Sequence, residues 1–161
     1  LGNLGRDIDV IGCIFDETML DLRSCAGLEL SREPFCCAVS LQHRLVVKDQ
    51  MSIQDLYGEN LMLMHRDWSR YVDRLRDDIW QNHSQIHIVD FDFYGMNVIN
   101  RCENNNDVLL AISGWANVHP LLKVIPVEWE HSIPYGLLHS PEPSETVRRF
   151  LLAAQEAMAE H

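Results

Sequence analysis

The chain has 161 residues, of which 47% are hydrophobic and 23% are charged, proportions typical of a globular domain that can bury a core. It carries 24 acidic and 13 basic residues, which give a formal net charge of −11 at pH 7. Because such a surface repels phosphate groups, the composition argues against DNA or RNA binding by this chain alone. No apolar run has the length of a membrane span and no signal-peptide pattern is visible, so we expect a cytoplasmic protein without a membrane partner.

Seven apolar runs predict the strands of the chain. Several are almost continuous and rich in β-branched residues, which is typical of strands buried on both faces. A one-turn helix pattern at 52–57 lies between the second and third strands. The predicted strands are 7–15, 33–41, 61–64, 86–91, 108–112, 121–127 and 133–138.

Three longer helical patterns lie between and after these strands. Asp67 is the predicted N-cap of a helix that extends to Asn82, the second helix covers 93–103, and Ser144 caps the last one. This alternation of strands and helices predicts an α/β protein with mostly parallel sheets. The residues predicted to face inward are Trp68, Tyr71, Val72, Leu75 and Ile79 in the first helix, Met96, Ile99 and Cys102 in the second, and Val147, Leu151, Ala154 and Met158 in the third.

The strands at 33–41 and 133–138 flank the strand–helix units, and we predict that they cross between two lobes. Residues 1–36 and 133–161 would form part of a first lobe, and residues 37–132 would form the second lobe. The sequence begins without a Met, and a strand pattern follows almost at once. We therefore expect an N-terminally truncated chain whose first lobe is incomplete.

The five cysteines give no sign of a disulfide framework or a zinc site. Their number is odd, two are adjacent, and no CxxC pair occurs. Reduced and partly buried thiols are the expected state. They are Cys13, Cys25, Cys36, Cys37 and Cys102.

Catalytic and metal-binding motifs are missing from the sequence. It contains no Gly-rich phosphate loop, no GxSxG elbow and no HExxH. The eight histidines are scattered, and His83 and His87 straddle a predicted helix end and strand start, so they do not share one face. We predict no metal, no cofactor and no catalytic residue.

The predicted ligand site follows from the architecture. In open parallel sheets, ligands gather where strands end and the following helices begin, and the free N–H groups of a helix start favour anions. Three such junctions, at 64–71, 90–95 and 112–116, are predicted to form a cleft wall that faces the end of the first-lobe strand. The predicted ligand-binding residues are Asp16, Glu17, His65, Arg66, Asp67, Trp68, Ser69, Asp92, Phe93, Ser113 and Trp115.

The residue types at this site suggest a ligand class. Arg66 and Ser113 favour a carboxylate or a similar anion, while the three aromatic residues favour a flat or apolar body. Asp16 and Glu17 would repel an anion unless they bind a cationic end, so an amphoteric molecule is an alternative. Each of these residues can also be explained without a ligand. Trp68 can pack in the core, for example, and Arg66 can be a surface charge.

Four segments, taken in order, resemble the effector-binding domain of LysR-type transcriptional regulators. "GRDIDVIGCIF" (5–15) resembles the family's "G-x-L-D" strand, and "REPFCCAVSLQHRL" (32–45) resembles its "E-x-L" crossover strand with the "HPL" that follows. "SIQDLYGENLMLM" (52–64) resembles the short helix and strand that start the second lobe, and "CENNNDVLLAISGWA" (102–116) occupies the place of the family's Gly-x-Gly turn and next strand. The resemblance covers nearly the whole chain through an ordered set of weak motifs.

The chain departs from the family pattern at three places. Arg44 stands where the family usually has Pro, Asn104–Asn106 stand in place of the Gly-x-Gly turn, and Gly114–Trp115 replace a Pro. Because Asn tolerates the left-handed backbone conformation better than most residues, the turn can survive the second change.

The resemblance implies a two-lobed fold of the periplasmic-binding-protein type that binds a small effector between its lobes and so changes their arrangement. It also implies a homodimer, no enzymatic activity, and DNA binding only through an N-terminal winged helix-turn-helix that is absent from this chain. The alternatives are a solute-binding protein or an enzyme on the same fold, or an interaction module without a ligand. An enzyme would need a titratable cluster at the cleft, and an exported receptor would need a signal peptide.

Overall fold

The computed structural model describes residues 4–6, 8–116 and 119–159. All seven predicted strands are present, and the first residue of the strand predicted at 7–15 lies outside the described part. The strands are β1 (Val10–Ile14), β2 (Ala26–Ser40), β3 (Asn60–Met64), β4 (His87–Phe91), β5 (Val108–Ile112), β6 (Leu122–Pro126) and β7 (Ser132–His139). The α-helices are α1 (Glu17–Leu22), α2 (Arg70–Asn82), α3 (Met96–Asn105) and α4 (Glu145–Ala159), and short 3-10 turns cover Arg44–Val47, Ile53–Leu56 and Ser113–Trp115.

The chain divides into two compact units. The first unit consists of Leu1–Arg32 and Ile133–His161, and the second unit consists of Glu33–Ser132. The sequence analysis placed the corresponding boundaries at 36/37 and 132/133. Strand β2 contributes residues to both units, because it continues without a break from Ala26 to Ser40.

The first unit contains a small sheet with α1 and α4. β1 pairs antiparallel with β7, with Val10 opposite His139 and Ile14 opposite Tyr135, and β7 neighbours β2. Gly136 is required at this contact, because a Cβ there would lie 1.9 Å from the carbonyl oxygen of Leu28. The backbones of β7 and β2 can therefore approach each other only at a residue without a side chain.

The second unit contains a mixed sheet. β3 pairs in parallel with both β4 and β5, whereas β2 pairs antiparallel with β5 and with β6. The α/β class is confirmed, but the expectation of mostly parallel sheets holds only for β3, β4 and β5 among the described pairings. The reason is that helical crossovers link β3 to β4 and β4 to β5, and a parallel pair needs such a crossover. The chain leaves β2 through two 3-10 turns instead.

The segment between β2 and β3 is held by the side chains of His43 and of Arg44, the residue that stands where the family has Pro. His43 is buried; its Nδ1 accepts the N–H of Leu45 at 3.0 Å, so its Nε2 carries the proton and donates to Glu59 at 3.0 Å. Arg44 donates to the same carboxylate at 2.7 Å and to the carbonyl of Asp55 at 2.8 Å. These hydrogen bonds hold the connector to Glu59, the residue before β3, although the connector lacks the family's proline.

The long helix α2 packs an apolar stripe against the sheet of the second unit but begins later than predicted. Val72, Leu75 and Ile79 are buried, as expected. The N-cap is Ser69, which has an extended backbone and accepts the N–H of Tyr71 at 3.2 Å. Asp67 is not the cap, because its φ of +73° is incompatible with the extended geometry that a capping residue adopts.

Helix α3 also begins later than predicted, which shifts its buried face. Val98 and Cys102 are buried, while Met96, predicted to face inward, is the first helical residue and is 64% exposed. The residue that caps the helix, Asn106, adopts the left-handed conformation with φ of +56°. This asparagine therefore supplies the turn for which the family uses glycine.

Candidate functional site

The carboxyl ends of β3, β4 and β5 lie along one edge of the second unit's sheet, which we call the carboxyl edge. The parallel register places Met64 opposite Phe91, and Met62 opposite Leu109. The backbone N–H of His65 continues the pairing by donating to the carbonyl of Phe91 at 3.0 Å. The three predicted junctions therefore follow strands that end at the same edge, and this is the arrangement in which open α/β sheets bind ligands.

The first junction leads from β3 to the start of α2. His65, Arg66 and Asp67 are exposed, Trp68 is half-buried, and Ser69 is buried as the helix cap. The imidazole Nδ1 of His65 donates to the carbonyl of Arg66 at 2.8 Å, which holds the turn. This junction thus presents polar groups around one half-buried indole.

Arg66 is already paired in the structure. Its guanidinium donates to Asp77 at 2.8 Å, and both side chains are about half exposed. The hydrogen bond and charge of Asp77 raise the pKa of Arg66 above its ordinary value. An anionic ligand would have to compete with this carboxylate for the arginine.

Aromatic rings connect the second and third junctions. The Tyr94 ring meets those of Phe91 and Trp115 edge to face, with centroids 4.8 and 5.0 Å apart. The Tyr94 hydroxyl donates to the carbonyl of Leu110 on β5 at 2.8 Å. The predicted site includes the neighbouring Phe93, whose side chain is exposed, but not Tyr94, which joins the two junctions.

A carboxylate from β2, absent from the predicted site, lies beside the end of β5. The hydroxyl of Ser113 donates to Oε2 of Glu33 at 2.6 Å. Within the described residues Glu33 has no basic partner, and Asp92 of the second junction is exposed and solvated. The carboxyl edge therefore holds acidic groups beside the hydroxyl that was expected to favour an anion.

A buried arginine holds two of the strand ends in place. Arg76 of α2 donates to the carbonyl of Met64 and to the carboxylate of Asp90, both at 2.6 Å. It lies on the same helical face as Leu75 and Ile79, so its spacing could have identified it as an inward-facing residue. Its role is to position the edge, since both of its hydrogen bonds go to protein groups.

Asp16 and Glu17 belong to the first unit. Asp16 is buried, and its carboxylate accepts the N–H of Met19 at 3.3 Å at the start of α1. Glu17 is the exposed first residue of that helix. The three junctions share one edge of the second unit, and this acidic pair is part of a different unit.

The thiols and the titratable groups give no sign of redox or metal chemistry. Burial raises the pKa of Cys36 to about 11 and that of Cys102 to about 12. In the part of the chain that the structure describes, no three His, Cys, Asp or Glu side chains are grouped as a metal ion would require. Nor does any helix described here have the length and hydropathy to cross a membrane.

Comparison with known proteins reveals similarity at the level of structure. No protein-family model matches the sequence, and no curated protein matches it. The effector binding domain of QuiR in complex with shikimate superposes with a TM-score of 0.68 at 16% identity, and the match covers 99% of this chain and 76% of that one. The BenM effector binding domain with its effector benzoate gives a TM-score of 0.61 at 15% identity, with 95% and 70% of the two chains covered.

A third solved structure gives the same result. CbnR, a LysR family transcriptional regulator, superposes with a TM-score of 0.68 at 12% identity over 96% of this chain and 53% of CbnR. The chain therefore has the fold of these effector-binding domains, and the resemblance noted in the sequence is confirmed for the fold. Identities this low do not transfer individual residues.

Proposed function

We propose that this chain is the effector-sensing regulatory domain of a LysR-type DNA-binding transcriptional regulator. The observation that carries the proposal is the superposition on the QuiR effector binding domain over 99% of the chain, at a TM-score of 0.68. The order of segments in the sequence supports the same assignment independently of the superposition.

The proposed ligand is a small anionic or amphoteric molecule that contacts the carboxyl edge. Arg66, Ser69 and the positive end of the α2 dipole favour an anionic group. Glu33 and Asp92 favour a positively charged group on the same molecule, and Trp68 favours a flat body.

Partners and location follow from the proposed regulator. DNA would be bound through a winged helix-turn-helix that is not in this chain, and the net charge of −11 opposes DNA binding by the chain itself. We further propose a homodimer, the default assembly of oligomeric regulators, acting in the cytoplasm. The domain would sense its ligand without converting it, so we propose no enzymatic activity.

The experiment is calorimetric titration of the chain with benzoate, shikimate and amino acids, each beside an uncharged or cationic analogue of similar size. Arg66→Ala should weaken an anionic ligand about tenfold, the loss expected for one charge-assisted hydrogen bond. Asp77→Asn should strengthen the same ligand, because it releases the guanidinium that Asp77 now holds. Trp68→Ala should also weaken binding.

Trp80→Ala is the matched control for the aromatic substitution, because Trp80 lies near the other end of α2 and is 77% exposed. The Trp80→Ala variant should bind the same ligand with the affinity of the unaltered chain. Binding of cations alone, or unchanged affinity in both Arg66→Ala and Trp68→Ala, would contradict the proposed site.

A further inference from the structure

The second unit contains an apolar cavity of about 480 Å³ beside α3. Among the predicted ligand-binding residues, Trp115 is the one that lines it. Its volume lies within the range of about 300–1,000 Å³ that is typical of small-molecule sites. The lining residues are Ala38, Tyr94, Gly95, Met96, Val98, Ile99, Leu109, Ala111, Trp115, His119, Leu122 and Val124.

The cavity exists because small side chains occupy its floor. Ala38 of β2 and Ala111 of β5 are both buried members of the core cluster, and neither side chain extends beyond Cβ. Helix α3 forms one wall with Ile99, and the edge-to-face pair of Tyr94 and Trp115 forms another. The walls are therefore parts of the folded core, which makes the cavity preformed.

Among the described residues, the lining contains no Asp, Glu, Lys or Arg. The Tyr94 hydroxyl is committed to the carbonyl of Leu110, and burial raises the pKa of Tyr94, so the phenol stays neutral. His119 accepts the N–H of Leu121 on Nδ1 at 3.2 Å, so in the neutral ring the proton lies on Nε2. The described lining thus offers mainly apolar surface with the His119 imidazole as a polar group, and a charged ligand would lose hydration without gaining a charged partner.

We propose that this cavity is a second ligand site, for a compact uncharged aromatic or alicyclic molecule that carries one hydrogen-bond acceptor. The apolar lining, which has no charged group to complement, selects an uncharged ligand, and the His119 Nε2–H selects the acceptor. The cavity shares Tyr94 and Trp115 with the second and third junctions, but its walls are α3, β2, β5 and β6, and the start of α2 is not among its lining residues.

The test uses 2-naphthol and 2-naphthoate as probes of nearly equal shape, titrated into the chain and followed by calorimetry. 2-Naphthol should bind one to one, and the anionic 2-naphthoate should bind at least tenfold more weakly. Val124→Phe, which fills the cavity, should weaken 2-naphthol at least tenfold. His119→Ala should weaken it severalfold and leave the discrimination against the anion unchanged.

Val89→Phe is the matched control. Val89 and Val124 are both half-buried and pack on the same core cluster, but only Val124 lines the cavity. Val89→Phe should retain 2-naphthol binding, and so should Trp68→Ala, which separates this site from the carboxyl edge. Equal affinity for the two probes, or undiminished binding in Val124→Phe, would overturn the proposal. The proposal would also be overturned if sedimentation showed a dimer of the chain that Val124→Phe dissociates, because a second copy of the chain would then cover this face.

Discussion

Replacing Asp107 by alanine should lower the stability of the second unit by about 2–4 kcal/mol. Asp107 is 1% exposed, between the end of α3 and the start of β5. Its Oδ1 accepts the side-chain amide of Asn60 at 3.1 Å, and its Oδ2 accepts Nε and Nη2 of Arg101 at 3.1 and 2.9 Å. One carboxylate therefore links the start of β3, the last turns of α3 and the start of β5.

The magnitude follows from the two partners. A hydrogen bond from an amide to a buried carboxylate contributes about 1.5–3 kcal/mol. The side chain of Arg101 is 42% exposed, so solvent screening reduces its contribution to about 0.5–1 kcal/mol. With a urea m-value of ~2 kcal/mol/M, the sum corresponds to a fall in the unfolding midpoint of about 1–2 M.

The assay is urea unfolding followed by far-UV circular dichroism. Asp92→Ala serves as the control, because that carboxylate is exposed, and its midpoint should change by less than about 0.3 M. Asn60→Ala and Arg101→Ala should each reproduce part of the loss. A midpoint for Asp107→Ala that equals the control, or a full loss with neither partner substitution having any effect, would refute this reasoning.

Three further substitutions test local features. Ser69→Ala should destabilise α2 by about 1 kcal/mol in thermal unfolding, because it removes the helix cap. Asp67→Gly should leave stability unchanged, because glycine accepts the positive φ at that position. Destabilisation by Asp67→Gly alone would contradict the assignment of Ser69 as the cap. The hydrogen bond from His131 lowers the pKa of Asp78. The stabilisation that this carboxylate gives the folded protein should therefore be present above pH ~4 and be lost as pH falls through the lowered pKa of Asp78. Asp78→Asn measured across pH 3–7 checks this, and a stability difference that does not change with pH would contradict it. Gly136→Ala should prevent normal pairing of β7 with β2, and a folded variant with an unchanged melting temperature would show that the backbones are further apart than 1.9 Å implies.

The strands of the second unit could be predicted because their sequences are unambiguous. All five residues of β5 are buried, and a continuous apolar run of that length is typical of a strand covered on both faces. The first half of β2 was missed for the opposite reason. Residues 26–32 are half-exposed and include Glu29 and Arg32, so the polar positions interrupt the apolar signal. An edge-like segment of this kind resembles a loop until its partner strand is known.

The shared edge of the three junctions was predictable from the sequence, and the side-chain pairings at that edge were not. The carboxyl ends of parallel strands in one sheet lie at the same edge, so the three junctions could be placed from the order of elements. The pairing of Arg66 with Asp77 joins residues 11 positions apart, and that of Ser113 with Glu33 joins residues 80 positions apart. Such contacts depend on the packing of whole elements, and no local pattern in the sequence encodes them.

The second unit is a continuous stretch of chain inserted into a first unit that is discontinuous. Its entry and exit lie side by side, since the N–H of Phe35 donates to the carbonyl of His131 at 2.9 Å. During synthesis the second unit can fold as soon as its own residues have left the ribosome. The first unit can complete its fold only after β7 and α4 have also been synthesised. The order in which the two units can fold therefore follows from the path of the chain. Because its two ends are adjacent, the second unit also suits insertion into another protein.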